Sequence, residues 1–200
     1  GCFRIGFSQK MMVNAWAKTV NIVPSVSAHR SSGNGNPATT LRSDLLNEVE
    51  PLQDSSKPYP VYLAYAIEND VSDMGNIHEW QAEWKWDGIR VQLVGDGESC
   101  RIYSRSGEDI SHVFPDIIEN VHLNAVVDGE LLVKHPGGIA TFNDLQQRLN
   151  RKNPTKKIQE EFPAFIRLYD LLIDGNEDLR PFPFRERRQR LEKWINGNPS

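Results

Sequence analysis

The sequence predicts an α+β domain built on an antiparallel sheet. From about Ala82 onward, short apolar runs are separated by turn signals, "GDGE" at 95–98, "SGED" at 106–109 and "HPGG" at 135–138. These turns suit hairpins, and helical patterns fall among the strands rather than alternating with them one for one. The 200 residues, 38% apolar and 25% charged, suffice for one good-sized core or for pieces of two domains.

The chain opens with a helical pattern over 8–20, with Ser8 at the N-cap position and Met12, Ala15, Trp16 and Thr19 at helical spacing. "SVSAHRSSGNGNPATT", 25–40, lacks apolar periodicity and reads as a linker. A short helix over 41–50 and a breaker-rich connector, "PLQDSSKPYP", follow. Strands are expected near 82–87, 89–94, 99–105, 125–133 and 164–172, and helices near 114–122, 141–150 and 183–195. In the second of these helices Thr141 and Asp144 form a loose capping box ahead of the stripe Phe142, Leu145, Leu149. The resulting division is 1–23, a linker over 24–58, and a domain over 59–200.

No apolar run approaches the length of a membrane span and no signal segment opens the chain, so a cytoplasmic protein with no membrane partner is expected. Cys2 and Cys100 are far apart, and the five histidines form no i, i+4 pair, which argues against a disulfide framework or a structural zinc site. A net charge of -4 argues little about nucleic acid, because basic residues can gather on one face.

The most informative stretch is "AEWKWDGIR", 82–90. Trp84 and Trp86 share one parity while Ile89, Val91 and Leu93 take the other, so the apolar face switches at Asp87-Gly88, where a bend is expected. Lys85 would then end a strand beside that bend, opposite two anchoring indoles. A lysine becomes a nucleophile when desolvation or a neighbouring cation such as Arg90 draws off its proton. Taken alone, a lysine between aromatics is more often a snorkelling hairpin residue.

"VVDGELLV", 126–133, sets Asp128 and Glu130 on one face of a buried-type strand, which is costly unless they are paired, hydrogen-bonded or metal-bound. "FIRLYDLL", 165–172, sets Arg167 and Tyr169 on one face and Leu168 and Asp170 on the other. The helix "FRERRQRLEKW", 184–194, reads as a solvated amphipathic face ahead of a DNA-binding patch.

"KWDGIR" at 85–90 resembles the lysine motif of the covalent nucleotidyltransferases, which include DNA ligases, RNA ligases and capping enzymes. Its companions "YSRSGED" (103–109), "DGE" (128–130) and "RLYDLL" (167–172) follow in the family order. "FRIGFSQKMMVNAWAK", 3–18, resembles the closing helix of the DNA-binding domain of ATP-dependent DNA ligases. "PYPVYLAYAIE", 58–68, and "EWQAEWKWDGIRVQL", 79–93, resemble their bacterial branch. The resemblance implies an adenylation domain of nucleotidyltransferase fold, incomplete at its C-terminus and preceded by the helical tail of the DNA-binding domain.

It implies a DNA ligase that seals nicks through a lysyl-AMP formed on Lys85 and transfer of AMP to the 5'-phosphate, using ATP and magnesium. Glu83 would accept from the adenine amino group and Tyr169 would stack on the base. Arg90 and Arg105 would grip ribose and phosphates. Glu130 would contact ribose or metal, with Asp128 in support or as a weaker metal ligand, and Asp87 and Gly88 would shape the supporting turn. The partner would be nicked double-stranded DNA, met as a monomer. The family's downstream glutamate motif, two phosphate-binding lysines and oligonucleotide-binding domain are not in this sequence, so weak adenylation by these 200 residues alone is expected. Alternative readings are an RNA ligase or capping-type enzyme, or a non-catalytic DNA- or nucleotide-binding remnant.

Overall fold

A computed structural model describes residues 58–197, apart from positions 65 and 69. The helices expected over 8–20 and 41–50, and the boundary near residue 24, lie outside the described residues. Six strands, β1 (Ile89–Asp96), β2 (Cys100–Ser104), β3 (Asn124–His135), β4 (Gly138–Ile139), β5 (Ala164–Asp174) and β6 (Glu177–Asp178), form one sheet. Its order is β2-β1-β3-β5-β6, with β4 paired to β3, and each pairing is antiparallel. Among the described residues four α-helices accompany it: α1 (Pro115–Ile118), α2 (Phe142–Leu149), α3 (Lys156–Glu161) and α4 (Phe184–Gly197).

The strands expected from 89 onward are present; β1, β3 and β5 run past their expected ends, while β2 is shorter than the expected 99–105. Asp96 closes the β1–β2 hairpin by accepting the backbone N–H of Ser99 at 2.7 Å, and Gly97 sits at φ 92°, a conformation glycine adopts without strain. The capping box at α2 is complete, with the Thr141 side chain and the Asp144 carboxylate each accepting from the other's backbone.

Three expectations need correction. Residues 82–87 form no strand: period-2 alternation favours a strand only where one face is covered and the backbone finds a ladder, and 80–85 is exposed with no strand partner among the described residues. Trp84 is 83% exposed and anchors nothing, while Trp86 is half-buried. The helix near 114–122 shrinks to 115–118 behind a 3-10 turn at Ser111–Val113, since Pro115 suits a first turn but nothing after Ile118 propagates it. The short elements α3, β4 and β6 were below what apolar periodicity reveals.

The two faces of the sheet differ chemically. On one face Val91, Leu93, Val127, Leu131, Val133 and Leu171 join Ile117, Leu145 and Leu191 of α1, α2 and α4 in the main core. The opposite face is apolar at one end, where Val94, Val126, Leu172 and Ile173 pack with Tyr59 and Tyr103. At its other end it is polar. There Arg90 pairs across the sheet with Glu130, which pairs with Arg167, and Gln92 pairs with Asp128, which pairs with Asp170.

β5 departs from simple alternation twice. The register passes from Val126↔Ile173 to Val127↔Leu171, and from Asp128↔Asp170 to Gly129↔Leu168, so Leu172 and Tyr169 are each an extra residue against β3. The second bulge overturns the expected placement of Asp170. Asp170 lies opposite Asp128 on the polar face, next to Tyr169, rather than facing away from it.

Candidate active site

The polar end of this face is organised by Arg90. One terminal amino group donates to Asp128 Oδ2 at 2.6 Å, the other donates to the Tyr62 carbonyl, and the guanidinium lies 5.5 Å from the Tyr169 ring centroid. Its Nε is buried with no hydrogen-bond partner among the described residues. Both terminal groups of Arg90 are thus committed to protein acceptors, which differs from an arginine held free to grip ribose or phosphate. Its charge, matched by Asp128, is also a weaker influence on Lys85 than an unpaired cation would be.

Asp128 is wholly buried, and its Oδ1 has no hydrogen-bond partner among the described residues. Burial raises its carboxyl above the usual range, the nearby Asp170 adds to the rise, and Arg90 only partly offsets it. Gln92 stands beside it, and its side-chain hydrogen bond also works against the rise; the same amide grips Tyr59, Oε1 accepting from the Tyr59 N–H at 2.8 Å and Nε2 donating to the Tyr59 carbonyl at 2.9 Å. That double bond pair, with the Arg90–Tyr62 contact, lays residues 59–62 across the polar face. No apolar pattern signals this role for Gln92, which sequence reasoning missed.

Glu130 is half-buried, and burial raises its carboxyl. The Gly88 backbone and the charges of Arg90 and Lys85 act against that rise, which brings Lys85 to the same end of the face. Lys85 itself is exposed in the irregular run before β1. Trp86, its neighbour, lies under the Arg167 guanidinium, 4.5 Å from the ring centroid. Asp87 and Gly88 form the expected bend, but Gly88 is not among the residues with positive φ. A Cβ at Gly88 would meet the Leu131 carbonyl oxygen at 2.4 Å and Leu132 Cδ2 at 2.7 Å, so close approach to β3 is what requires glycine here.

Burial pushes the Tyr169 hydroxyl well above its usual range. Glu83 is partly exposed and pairs with Arg188 of α4 at 3.3 Å. Arg105 is exposed in the turn after β2, with no ion pair among the described residues. It lies one step beyond the Val91–Ser104 pair, at the end of the sheet that carries Arg90.

α4 is amphipathic as expected, with Leu191 buried and Arg185, Gln189, Glu192 and Lys193 exposed, but its other arginines are not a free basic patch. Arg187 holds Asp170 through two hydrogen bonds of 2.9 Å, Arg188 reaches Glu83 and the Tyr169 carbonyl, and Arg190 pairs with Glu177 and Glu186. The arginine run was visible in the sequence. The remote acidic partners, Asp170 and Glu83, 17 and 105 residues away, were not.

The described residues therefore bring Lys85, Glu130, Arg90, Asp128, Tyr169 and Glu83 to one end of one face, and they leave Arg105 at its rim. Residues 62–200 match the family model described as the ATP dependent DNA ligase domain. The chain belongs to this family. A DNA ligase of Methanopyrus kandleri is 35% identical over 162 residues, covering 78% of this chain and 28% of that protein. One from Archaeoglobus fulgidus is 32% identical over 143 residues, covering 70% of the chain and 26% of the relative, and one from Halobacterium salinarum is 29% identical over 211 residues, covering 98% and 37%. The chain thus spans between about a quarter and about two fifths of the length of these relatives. These relatives are archaeal and lend no support to the bacterial affinity. A solved structure of mycobacterial DNA ligase D complexed with ATP and MES matches with a TM-score of 0.46 and 29% identity, over 57% of this chain and 36% of that one. No helix among the described residues is long and apolar enough to cross a membrane.

Proposed function

We propose that this ligase-family chain is part of an ATP-dependent DNA ligase that seals nicks in double-stranded DNA, with Lys85 as its nucleophile. The observation that carries the reading is the meeting of the "KWDGIR" segment with Glu130 and Tyr169 at the polar end of one sheet face, in a chain of this family. Lys85 Nζ, once deprotonated, attacks the α-phosphorus of ATP; an N–P bond forms, the bond to pyrophosphate breaks, and AMP stays on the lysine. A 5'-phosphate oxygen at the nick then takes the AMP, returning the amine. The 3'-hydroxyl displaces AMP to form the phosphodiester. Positioning and charge neutralisation dominate such in-line transfers, which accords with a face rich in arginine and acids.

Tyr169 offers its ring to the adenine and Glu83 a carboxylate to the 6-amino group. Glu130 suits ribose or a metal ion. Arg105, exposed and without an ion pair among the described residues, is better placed than Arg90 to meet an incoming phosphate, since Arg90 would first have to leave the Tyr62 carbonyl. Magnesium typically keeps several waters and takes one or two carboxylates with the substrate's phosphates. Glu130, half-buried beside Lys85, fits that pattern; Asp128, buried and bound to Arg90, fits poorly, and no cluster of three metal-ligating side chains occurs among the described residues. When bound, the ion would neutralise phosphate charge.

The family match favours this reading over an RNA ligase or capping enzyme. The test is incubation of the full-length parent, and of its Lys85→Ala variant, with α-labelled ATP and magnesium, followed by denaturing separation and then by sealing of nicked DNA and nicked RNA duplexes. Label and DNA sealing that depend on Lys85 are expected. Equal label on the alanine variant refutes the assignment, and sealing confined to RNA favours the alternative.

A further inference from the structure

Glu83 and Tyr169 sit on unrelated parts of the chain, one in the irregular run before β1 and the other at the second bulge of β5. One side chain touches both. Arg188 Nη1 donates to Glu83 Oε1 and to the Tyr169 carbonyl, each at 3.3 Å, while Nε donates to Glu192 Oε1 at 3.2 Å. The Tyr169 residue is the extra one in the bulge, so its carbonyl lies where the ladder is disrupted. Arg188 itself is steadied by its neighbour: Arg187 is locked to Asp170 by two bonds of 2.9 Å. Glu83 Oε2 makes no hydrogen bond among the described residues, so one oxygen is held and the other is left to accept.

We infer that Arg188 is a positioning residue for base recognition: it fixes the Glu83 carboxylate beside the Tyr169 ring and so sets a preference for purines carrying a 6-amino donor. This rests on the functional reading above, because it takes the base of ATP as the occupant. A purely structural role would look different. Arg188 and Glu83 are 30% and 41% exposed, and ion pairs so open to water contribute little to stability.

Binding of ATP and of inosine triphosphate, which has a carbonyl oxygen in place of the 6-amino group, should be measured by equilibrium dialysis on the full-length parent, Arg188→Ala, Arg188→Lys and Glu83→Gln, each with its melting temperature. The expected result is a clear ATP preference in the parent that falls about tenfold in Arg188→Ala, the scale of one hydrogen bond to a charged group. Arg188→Lys should recover part of it. The Arg188→Ala/Glu83→Gln double variant should lose no more than Glu83→Gln alone. Equal weakening of both nucleotides in Arg188→Ala, with the preference intact, overturns the inference while leaving the ligase reading standing. A parent that binds neither nucleotide, or shows no preference, overturns this assignment of the site and the inference together. If the alanine variant fails to fold, Arg188→Gln, which keeps the stem but not the charge, is read in the same way.

Discussion

Gly88→Ala is expected to destabilise the protein by about 2–4 kcal/mol and to dislodge the lysine loop. The added Cβ would lie 2.4 Å from the Leu131 carbonyl oxygen, 2.7 Å from Leu132 Cδ2 and 3.0 Å from Glu130 Cγ. The first neighbour is backbone in the middle of β3, paired on both sides, so it has little room to give. Restoring an ordinary separation of about 3.4 Å requires the start of β1 to lift by about 1 Å, which strains the Ile89↔Leu131 pairing. Overpacking of this kind costs about 1–3 kcal/mol, and one lost ladder bond about 1 kcal/mol more. For a domain of this size that corresponds to a fall of roughly 4–16 °C in Tm.

Urea unfolding of wild type, Gly88→Ala and Gly88→Asn separates the two reasons a glycine could be needed here. If left-handed backbone were the reason, Asn would be tolerated better than Ala. Close approach to β3 makes Asn at least as harmful, since it brings the same Cβ and more. An alanine variant within about 0.5 kcal/mol of wild type, or an asparagine variant clearly better than alanine, would refute the steric account.

Asp170→Ala should cost about 3–5 kcal/mol in urea unfolding, because Arg187, 8% exposed, loses the carboxylate that compensates its buried charge; a loss under 1 kcal/mol would show the pair to be dispensable. Trp84→Ser should leave stability within about 0.5 kcal/mol of wild type, given that indole's exposure, and a larger loss would restore it as an anchor. Burial raises the Glu130 carboxyl, so the native state holds that proton more tightly than the unfolded chain does. Its contribution to stability is fully present at pH values below the unfolded carboxylate pKa and is lost as pH rises through the raised native one. Thermal melts of wild type and Glu130→Gln between pH 4 and 7 should therefore show the glutamine variant gaining relative stability as pH rises, and parallel curves would contradict the assignment.

Much of the sheet was readable because its strands bury one face and alternate: Val91, Leu93 and Val127 declare the core side by parity alone. The hairpin turns and the Thr141–Asp144 box were readable because they depend on residues within four positions. Parity failed in β5, where two bulges shift the count and carry Asp170 onto the same face as Tyr169. It failed again at 82–87, where alternating tryptophans imitate a strand but find no neighbour to pair with among the described residues. Among the site residues, Lys85, Glu130 and Tyr169 stood out by motif. Gln92, Arg187 and Arg188 did not, because each acts on a partner remote in the chain, and no local rule names that partner.

The Gln92 amide grips both the N–H and the C=O of Tyr59 without carrying charge. A side-chain hydrogen bond from Gln92 also holds the Asp128 carboxyl down, so the Tyr59 end is one bond removed from a titrating group. The Tyr62 end is held by Arg90, which is itself bonded to Asp128. Asp128 thus stands behind both fastenings of the 59–62 strap, and a change in its ionisation would reach the two ends together, through a neutral amide at one and a guanidinium at the other.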